Sequence, residues 1–253
     1  MTGDTDGLGP RFAASVGVPD GPGWVCADRL FGDGLDEALD RVGRARGAPS
    51  AAIAGSLLME AYAQRLVPPV IGACFVDGRV LDARLPRVWV DAVAGGFPRI
   101  SVAEASVPIA DPAVSRMWTG LVDGNLDRAV RAVHERTGVG RRVLRGAVAN
   151  AVAVAFLHLS WHDPDRDRYV GTARDLLAAT RGLAGLVGIE TVVEHGRAWM
   201  YTERNTCCLA FRTRSHAGTD QPYCATCPVL PRATTRDLFA QATASFAERH
   251  PDP

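Results

Sequence analysis

Six cysteines carry most of the chemistry this 253-residue chain offers, and four of them are crowded together. Cys207 and Cys208 are adjacent, Cys224 and Cys227 form a Cys-x-x-Cys pair, and residues 209–223 separate the two pairs. Four thiolates are the donor set of a tetrahedral zinc or of a [2Fe–2S] cluster. The Cys-x-x-Cys half suits either metal, because its two-residue spacer turns both sulfurs back towards one centre and Pro228 stiffens the exit. The vicinal half discriminates. Neighbouring side chains of an extended chain point to opposite sides, so placing both on one zinc demands a strained turn. Zinc sites ordinarily space each pair by two to four residues. A two-iron cluster is larger and spreads its thiolate positions over a wider span, so it accepts neighbouring cysteines more easily. A Rieske centre needs two histidine ligands, which are absent at matching spacing, and the pattern also differs from that of plant-type ferredoxins. Cys26 and Cys74 stand alone in the sequence. Cys74, in an apolar strand-like run, reads as a small core residue and Cys26 as a spare thiol, so neither is expected to be a ligand.

The stretch from Arg204-Asn-Thr-Cys-Cys to Tyr223-Cys-Ala-Thr-Cys-Pro-Val-Leu resembles the C-terminal segment of FhuF-like ferric siderophore reductases. Trp199 and Arg204 before the first pair and Pro228-Val229-Leu230 after the second share in the likeness, which covers the last quarter of the chain. Arg65-Leu66-Val67-Pro68-Pro69 is similar to the N-terminal part of that family. The spacing between the pairs is longer here than in the best-known members. The extra residues, roughly 215–221, are polar and Gly-containing, as a surface loop would be. The resemblance implies that Cys207, Cys208, Cys224 and Cys227 bind one [2Fe–2S] cluster. It also implies a ferric siderophore reductase, an oxidoreductase acting on a metal ion. Siderophores hold Fe(III) through hard oxygen donors and grip Fe(II) far more weakly, so one electron releases the metal. The partners implied are a ferric siderophore, with the hydroxamate type among the candidates, and an external electron donor protein or carrier. Peripheral membrane association is compatible with the likeness. Two alternatives remain open: a binding protein with a structural four-cysteine zinc clip, and an iron–sulfur electron-transfer or sensor protein with a non-siderophore partner.

Around the cysteines, Arg204, Arg212, Arg214 and His216 are candidates for docking an anionic chelate, against a background in which every basic residue is arginine. Trp199, Tyr201 and Tyr223 are candidates for shielding the centre or for plain packing. His158 and His162 lie four apart, one helical turn, but lack the intervening Glu of a zincin, and Trp161-His162-Asp163-Pro164 marks a helix end; a structural role is expected. Gly182, Gly185 and Gly188 do not match a dinucleotide fingerprint and no Walker motif occurs, so the reductant is expected from outside the chain.

The elements that must position these residues read as α+β: mainly helical with a small antiparallel sheet, plus a short C-terminal cluster-binding domain. The division expected is 1–190 for the N-terminal region and 191–253 for the cluster-binding domain. Residues 1–34 are rich in Gly, Pro and Asp and predict loops. A short helix is predicted over 35–46. A second follows from a Ser50 cap to Leu66, with Pro68-Pro69 as its stop. Residues 70–107 predict short strands, VIGACFV, RVWVD and RISVAEA, divided by Asp77-Gly78 and Gly95-Gly96. Pro112 suits a first-turn position ahead of the apolar stripe Val114, Met117, Trp118 and Leu121. Asp123-Gly124-Asn125 should break or kink the run before Leu126, Val130 and Val133. Helices over 141–161 and 165–182, strands over 189–195 and 197–201, and a closing helix over 235–249 complete the pattern.

Composition bounds the rest. With 28 basic and 28 acidic residues the formal net charge is zero, which argues against binding nucleic acid through a global positive field. The absence of lysine, alongside abundant Ala, Gly, Val and Pro, fits the coding bias of a GC-rich genome. The first dozen residues carry acidic groups and no apolar run, unlike a secretory signal. Gly146–Trp161 is apolar but interrupted by Asn150 and His158, and is shorter than the roughly 20 residues of a spanning helix. A cytoplasmic location, where thiols stay reduced, is therefore expected.

Overall fold

The computed structural model describes residues 8–92, 96–97, 99–104, 113–163, 165–214 and 223–250. The architecture is α+β and mainly helical, with a small mixed sheet and a separate two-stranded hairpin. Two long helices form its centre: α3 (Ala51–Phe75) and α6 (Arg141–Trp161), packed side by side. Both are apolar around most of their circumference, as helices buried on several faces must be. Leu58, Met59, Tyr62 and Leu66 of α3 and Ala149, Val152 and Phe156 of α6 are wholly buried in one core. The helix α2 (Leu35–Arg46) packs on α3, and Gly47, in the left-handed conformation (φ 60°), ends it.

The cap of α3 forms as the sequence predicts: Ser50 Oγ accepts from the Ile53 N–H at 3.4 Å. Its end does not. The helix runs through Pro68 and Pro69 to Phe75, so Val70–Phe75 is helix rather than strand and Cys74 sits on its last turn. Each proline removes a helical N–H and costs about 3 kcal/mol. Against that cost, Leu66, Val67, Val70 and Ile71 are fully buried, at about 1.5–3 kcal/mol for each large side chain. Core burial outweighs the local stop signal.

The mixed sheet contains β1 (Ser15–Val16), β2 (Trp24–Cys26), β3 (Leu81–Asp82), β4 (Val88–Asp91) and β5 (Ile100–Glu104), in the order β1-β5-β4-β2 with β3 also on β5. The predicted strands RVWVD and RISVAEA are β4 and β5, paired antiparallel through Val88↔Val102 and Val90↔Ile100. The sheet departs from the expected all-antiparallel form because β1 joins β5 in parallel. The first 34 residues thus hold more than loops: they supply β1, β2 and the short α1 (Ala27–Leu30).

The apolar stripe predicted after Pro112 forms α4 (Ala113–Leu121); Pro112 itself and Gly95 lie outside the described residues. Asp123-Gly124-Asn125 does not break the chain. Residues 122–126 widen into one π-helical turn that leads directly into α5 (Asp127–Thr137). Asn125, fully buried, explains why: it accepts from Tyr62 Oη at 3.0 Å and donates to the Ala83 carbonyl at 2.7 Å. By length and composition α6 could cross a membrane, yet 78% of its most apolar window is buried inside the protein.

After α7 (Asp167–Ala179) come β6 (Val187–Glu194) and β7 (Arg197–Arg204), an antiparallel hairpin in register from Val187↔Arg204 to Glu194↔Arg197. His195 and Gly196 both have positive φ (53° and 76°), the tight two-residue turn whose twist matches paired strands. The expected boundary at 190/191 falls inside β6, and β7 packs on α6. Helix α8 (Arg232–Arg249) closes the chain over this hairpin. Tyr201 Oη and Thr235 Oγ1 are 2.9 Å apart, and Arg232 and Arg236 both reach Glu190 at 2.6 Å.

Candidate metal centre

The first cysteine pair leaves the end of β7 and crosses the two central helices. Asn205 fixes the exit: its N–H donates to the Leu186 carbonyl at 2.9 Å and its Nδ2 to the Gly185 carbonyl at 3.0 Å. Thr206 then lies against α6 where Gly146 has no side chain. A Cβ there would stand 1.7 Å from Thr206 Oγ1, so the chain can pass only over glycine. Next, Ser56 Oγ of α3 donates to the Cys208 carbonyl at 2.8 Å. Leu209 adopts the left-handed conformation (φ 66°), uncommon for a branched side chain. A 3-10 turn at Ala210–Arg212 follows, and the Arg214 N–H reaches the Gly47 carbonyl at 3.3 Å.

The second pair lies just before α8 in the chain. The Cys227 N–H bonds to the Cys224 carbonyl at 2.9 Å, closing the Cys-x-x-Cys turn, and the Leu230 N–H bonds to the Cys227 carbonyl at 3.1 Å. The rings of Phe211 and Tyr223, 5.6 Å apart, join the two halves.

The two pairs come within electrostatic reach of one another. Cys208 is hydrogen-bonded to both Cys207 and Cys224, and Cys227 lies within electrostatic reach of each of those two. Cys207 and Cys224 are pushed far above the usual thiol range, first by the hydrogen bond each gives to Cys208 and then by burial. Cys208 is pulled far below it by the same two bonds, helped by the Ala210 N–H and the Arg204 guanidinium. The Leu209 N–H donates to Cys207 Sγ at 3.3 Å. Cys224 is exposed and Cys227 buried, with Cys207 and Cys208 between. Among the described residues, no three His, Cys, Asp or Glu side chains already surround a common point in metal-binding geometry. As a donor set the four cysteines fit a thiolate-bound centre: four soft ligands from two anchored segments, with backbone N–H groups aimed at two of them.

Cys26 and Cys74 belong elsewhere. Cys26 Sγ faces the Leu85 carbonyl at 3.7 Å, and Cys74 is raised by burial at the end of α3.

The arginines divide. Arg204 is only 3% exposed. Its two terminal nitrogens donate to the two carboxylate oxygens of Glu60 at 2.9 and 3.0 Å, and its Nε donates to the Thr206 carbonyl at 3.2 Å. It is an internal strut, not a surface residue open to a chelate. Burial alone would weaken its charge, but Glu60 more than compensates and its pKa lies above the ordinary value. The carboxylate bears the cost: burial raises the Glu60 pKa, and Arg204 opposes this only in part. Arg212 is exposed with its guanidinium 5.5 Å from the Phe211 ring, and Arg214 is exposed beside Gly47. His216 and the polar insertion 215–221 lie outside the described residues.

Of the aromatic candidates, Tyr223 borders the centre. Trp199 and Tyr201 are buried in a cluster with Trp161, Phe239 and Phe246 that binds the hairpin to α8. His158 and His162 pack at the end of α6: His158 lies beside Trp161, and His162 beside Phe246 and His250. Sequence reasoning missed Ser56, Glu60 and Gly146. Ser56 and Glu60 lie four apart on α3, so they share one face, but nothing local marks that face as the one beneath the cysteines.

Comparison with protein-family models and with curated proteins returns no match for this chain.

Proposed function

We propose that the protein carries a [2Fe–2S] cluster on Cys207, Cys208, Cys224 and Cys227 and reduces a ferric siderophore by one electron, a cytoplasmic oxidoreductase that releases Fe(II). The observation that carries this reading is the approach of both cysteine pairs to Cys208, one pair seated on α3 and α6 and the other leading into α8. The likeness of the cysteine pattern to FhuF-like reductases supplies the reaction. A cluster of this kind supplies a one-electron carrier whose potential depends on exposure, charge and hydrogen bonds to sulfur. The chain's own residues do the rest. The exposed edge at Cys224 leaves room for a chelate to approach. Arg212 and Arg214, exposed on the segment after the first pair, give that edge positive charge to attract an anionic chelate. Burial of Cys227 and the Phe211–Tyr223 contact keep water from the inner side. An external donor returns the electron.

The test begins with protein purified without oxygen. A reddish product with equal iron and acid-labile sulfide, bleached by Cys227→Ser, supports the cluster; a colourless protein containing zinc overturns it in favour of a structural clip. Reoxidation of the reduced protein by ferric hydroxamate chelates then supports the reductase. Indifference to every ferric siderophore offered would leave an electron-transfer or sensor protein. In the reductase, replacing Arg212 and Arg214 together by Ser slows chelate reduction several-fold while iron and sulfide contents stay unchanged.

A further inference from the structure

Glu60 stands apart from the other carboxylates in the described ion pairs, because it meets an arginine that is almost wholly buried. Its partner's side chain is 2% exposed and its own 20%, whereas pairs such as Arg79–Glu104 are open to solvent on both sides. The two partners are separated by 144 residues and join α3 to the last residue of β7. A pair this deep forfeits hydration that its mutual attraction only partly returns, so it is weak evidence for stability. Its best-attested use is to fix register. Here it fixes a particular one. Glu60 sits one turn after Ser56, the residue that holds the Cys208 carbonyl, and Arg204 also holds the Thr206 carbonyl just before Cys207. The chain from 204 to 208 is thus gripped at three points, two of which depend on Glu60 or its partner. Asn150 of α6 adds a long contact to Glu60 at 3.5 Å. Both charges lie within electrostatic reach of Cys208.

We propose that Glu60 is a positioning residue for the cysteine centre: through its two-pronged pairing with Arg204 it seats the Cys207–Cys208 segment on α3 and balances the positive charge beside the sulfurs. The second half of this statement rests on the cluster reading above; the first does not. Without the Glu60 carboxylate, Arg204 loses its two-point anchor and leaves an uncompensated positive charge close to Cys208. The segment then loosens, and a centre held there becomes easier to reduce.

The experiment compares wild type, Glu60→Gln, Glu60→Asp and, as a remote control, Glu104→Gln. In the reduced, metal-free full chain, site-resolved alkylation with iodoacetamide should run at least threefold faster at Cys207 and Cys208 in Glu60→Gln, with Cys26 and Cys74 unchanged. Glu60→Asp should restore most of the protection, and the control should match wild type. Equal acceleration at all six cysteines means general loosening and overturns the proposal, as does no change at Cys207 and Cys208. In cluster-loaded protein the midpoint potential of Glu60→Gln should shift upward by about 59 mV, the one-electron equivalent of a tenfold change in equilibrium constant. Glu60→Asp should stay near wild type. A purely structural role would lower cluster occupancy but leave the potential of the remaining centres in place. If wild type takes up no iron and sulfide, the cluster reading and its charge-balancing half fail, and the alkylation pattern alone decides the seating role of Glu60.

Discussion

His158 shows at the level of a single residue how burial turns a polar side chain into a pH-dependent contribution. It sits in the last turn of α6, against Trp161, and burial depresses its pKa from 6.5 to about 4, with Arg11 and His162 adding like charge. The folded state therefore resists protonating it. Its full contribution is present above about pH 6.5, where both states hold it neutral, and is lost as pH falls from 6.5 through 4. The difference is worth about 3 kcal/mol. His158→Gln, which does not titrate, should be less affected by acid than wild type over this window. Urea midpoints at pH 7 and pH 4.5 measure this, and equal losses in the two proteins would refute it. The sequence leads us to expect a structural role for His158 and His162, and their rings pack against Trp161, Phe246 and His250. The same local reasoning places Arg204 beside the cysteines but cannot tell that its guanidinium points inward, since the carboxylate that captures it lies far away in the chain.

Elements carry their own constraint where α6 passes under the first cysteine pair. Gly146 is in mid-helix, where glycine costs about 1 kcal/mol relative to alanine, and Thr206 explains its presence. Alanine there would overlap Thr206 Oγ1 and approach Thr206 Cβ to 2.6 Å, so one of the two elements must shift. Gly146→Ala should therefore destabilise by about 1–3 kcal/mol, as overpacking does, despite its better helix propensity. Thermal unfolding gives the sign: a higher Tm than wild type would show that the two elements yield freely. Helix periodicity places α2 and α6 close to their observed bounds, because α2 carries its apolar residues on one face and α6 is a buried centre. The same reasoning fails for Val70–Phe75. That run is rich in β-branched residues behind two prolines, and only the surrounding core decides that it continues α3. The π turn at residues 122–126 is similar: Asp-Gly-Asn signals a break, while Asn125 is held by Tyr62 and Ala83, residues from two distant segments.

At the scale of the whole molecule, the cysteine segment is not free-standing. Met200 of β7 belongs to the main core with Leu183 and Leu186. Ser56 and Glu60 of α3 and Gly146 of α6 form the seat on which Cys207 and Cys208 rest. Residues 191–253 expressed alone would lose that seat, half of β6 and the burial of β7 against α6. Such a fragment should lack a cooperative thermal transition and dispersed amide resonances, even with iron and sulfide supplied. A folded, cluster-binding fragment would show instead that α8 and the aromatic cluster of Trp199, Tyr201, Phe239 and Phe246 suffice.

The sequence by itself determined the division of six thiols into four and two, the zero net charge, the mainly helical α+β class and most helix positions. Each of these depends on composition or on spacing along the chain, and needs no distant partner. Only the tertiary structure decided that α3 passes through its prolines, that Arg204 turns inward to Glu60, and that a glycine of α6 and a serine of α3 make the seat for the vicinal cysteines. These depend on partners 60 to 152 residues apart, which packing brings together and chain spacing does not encode.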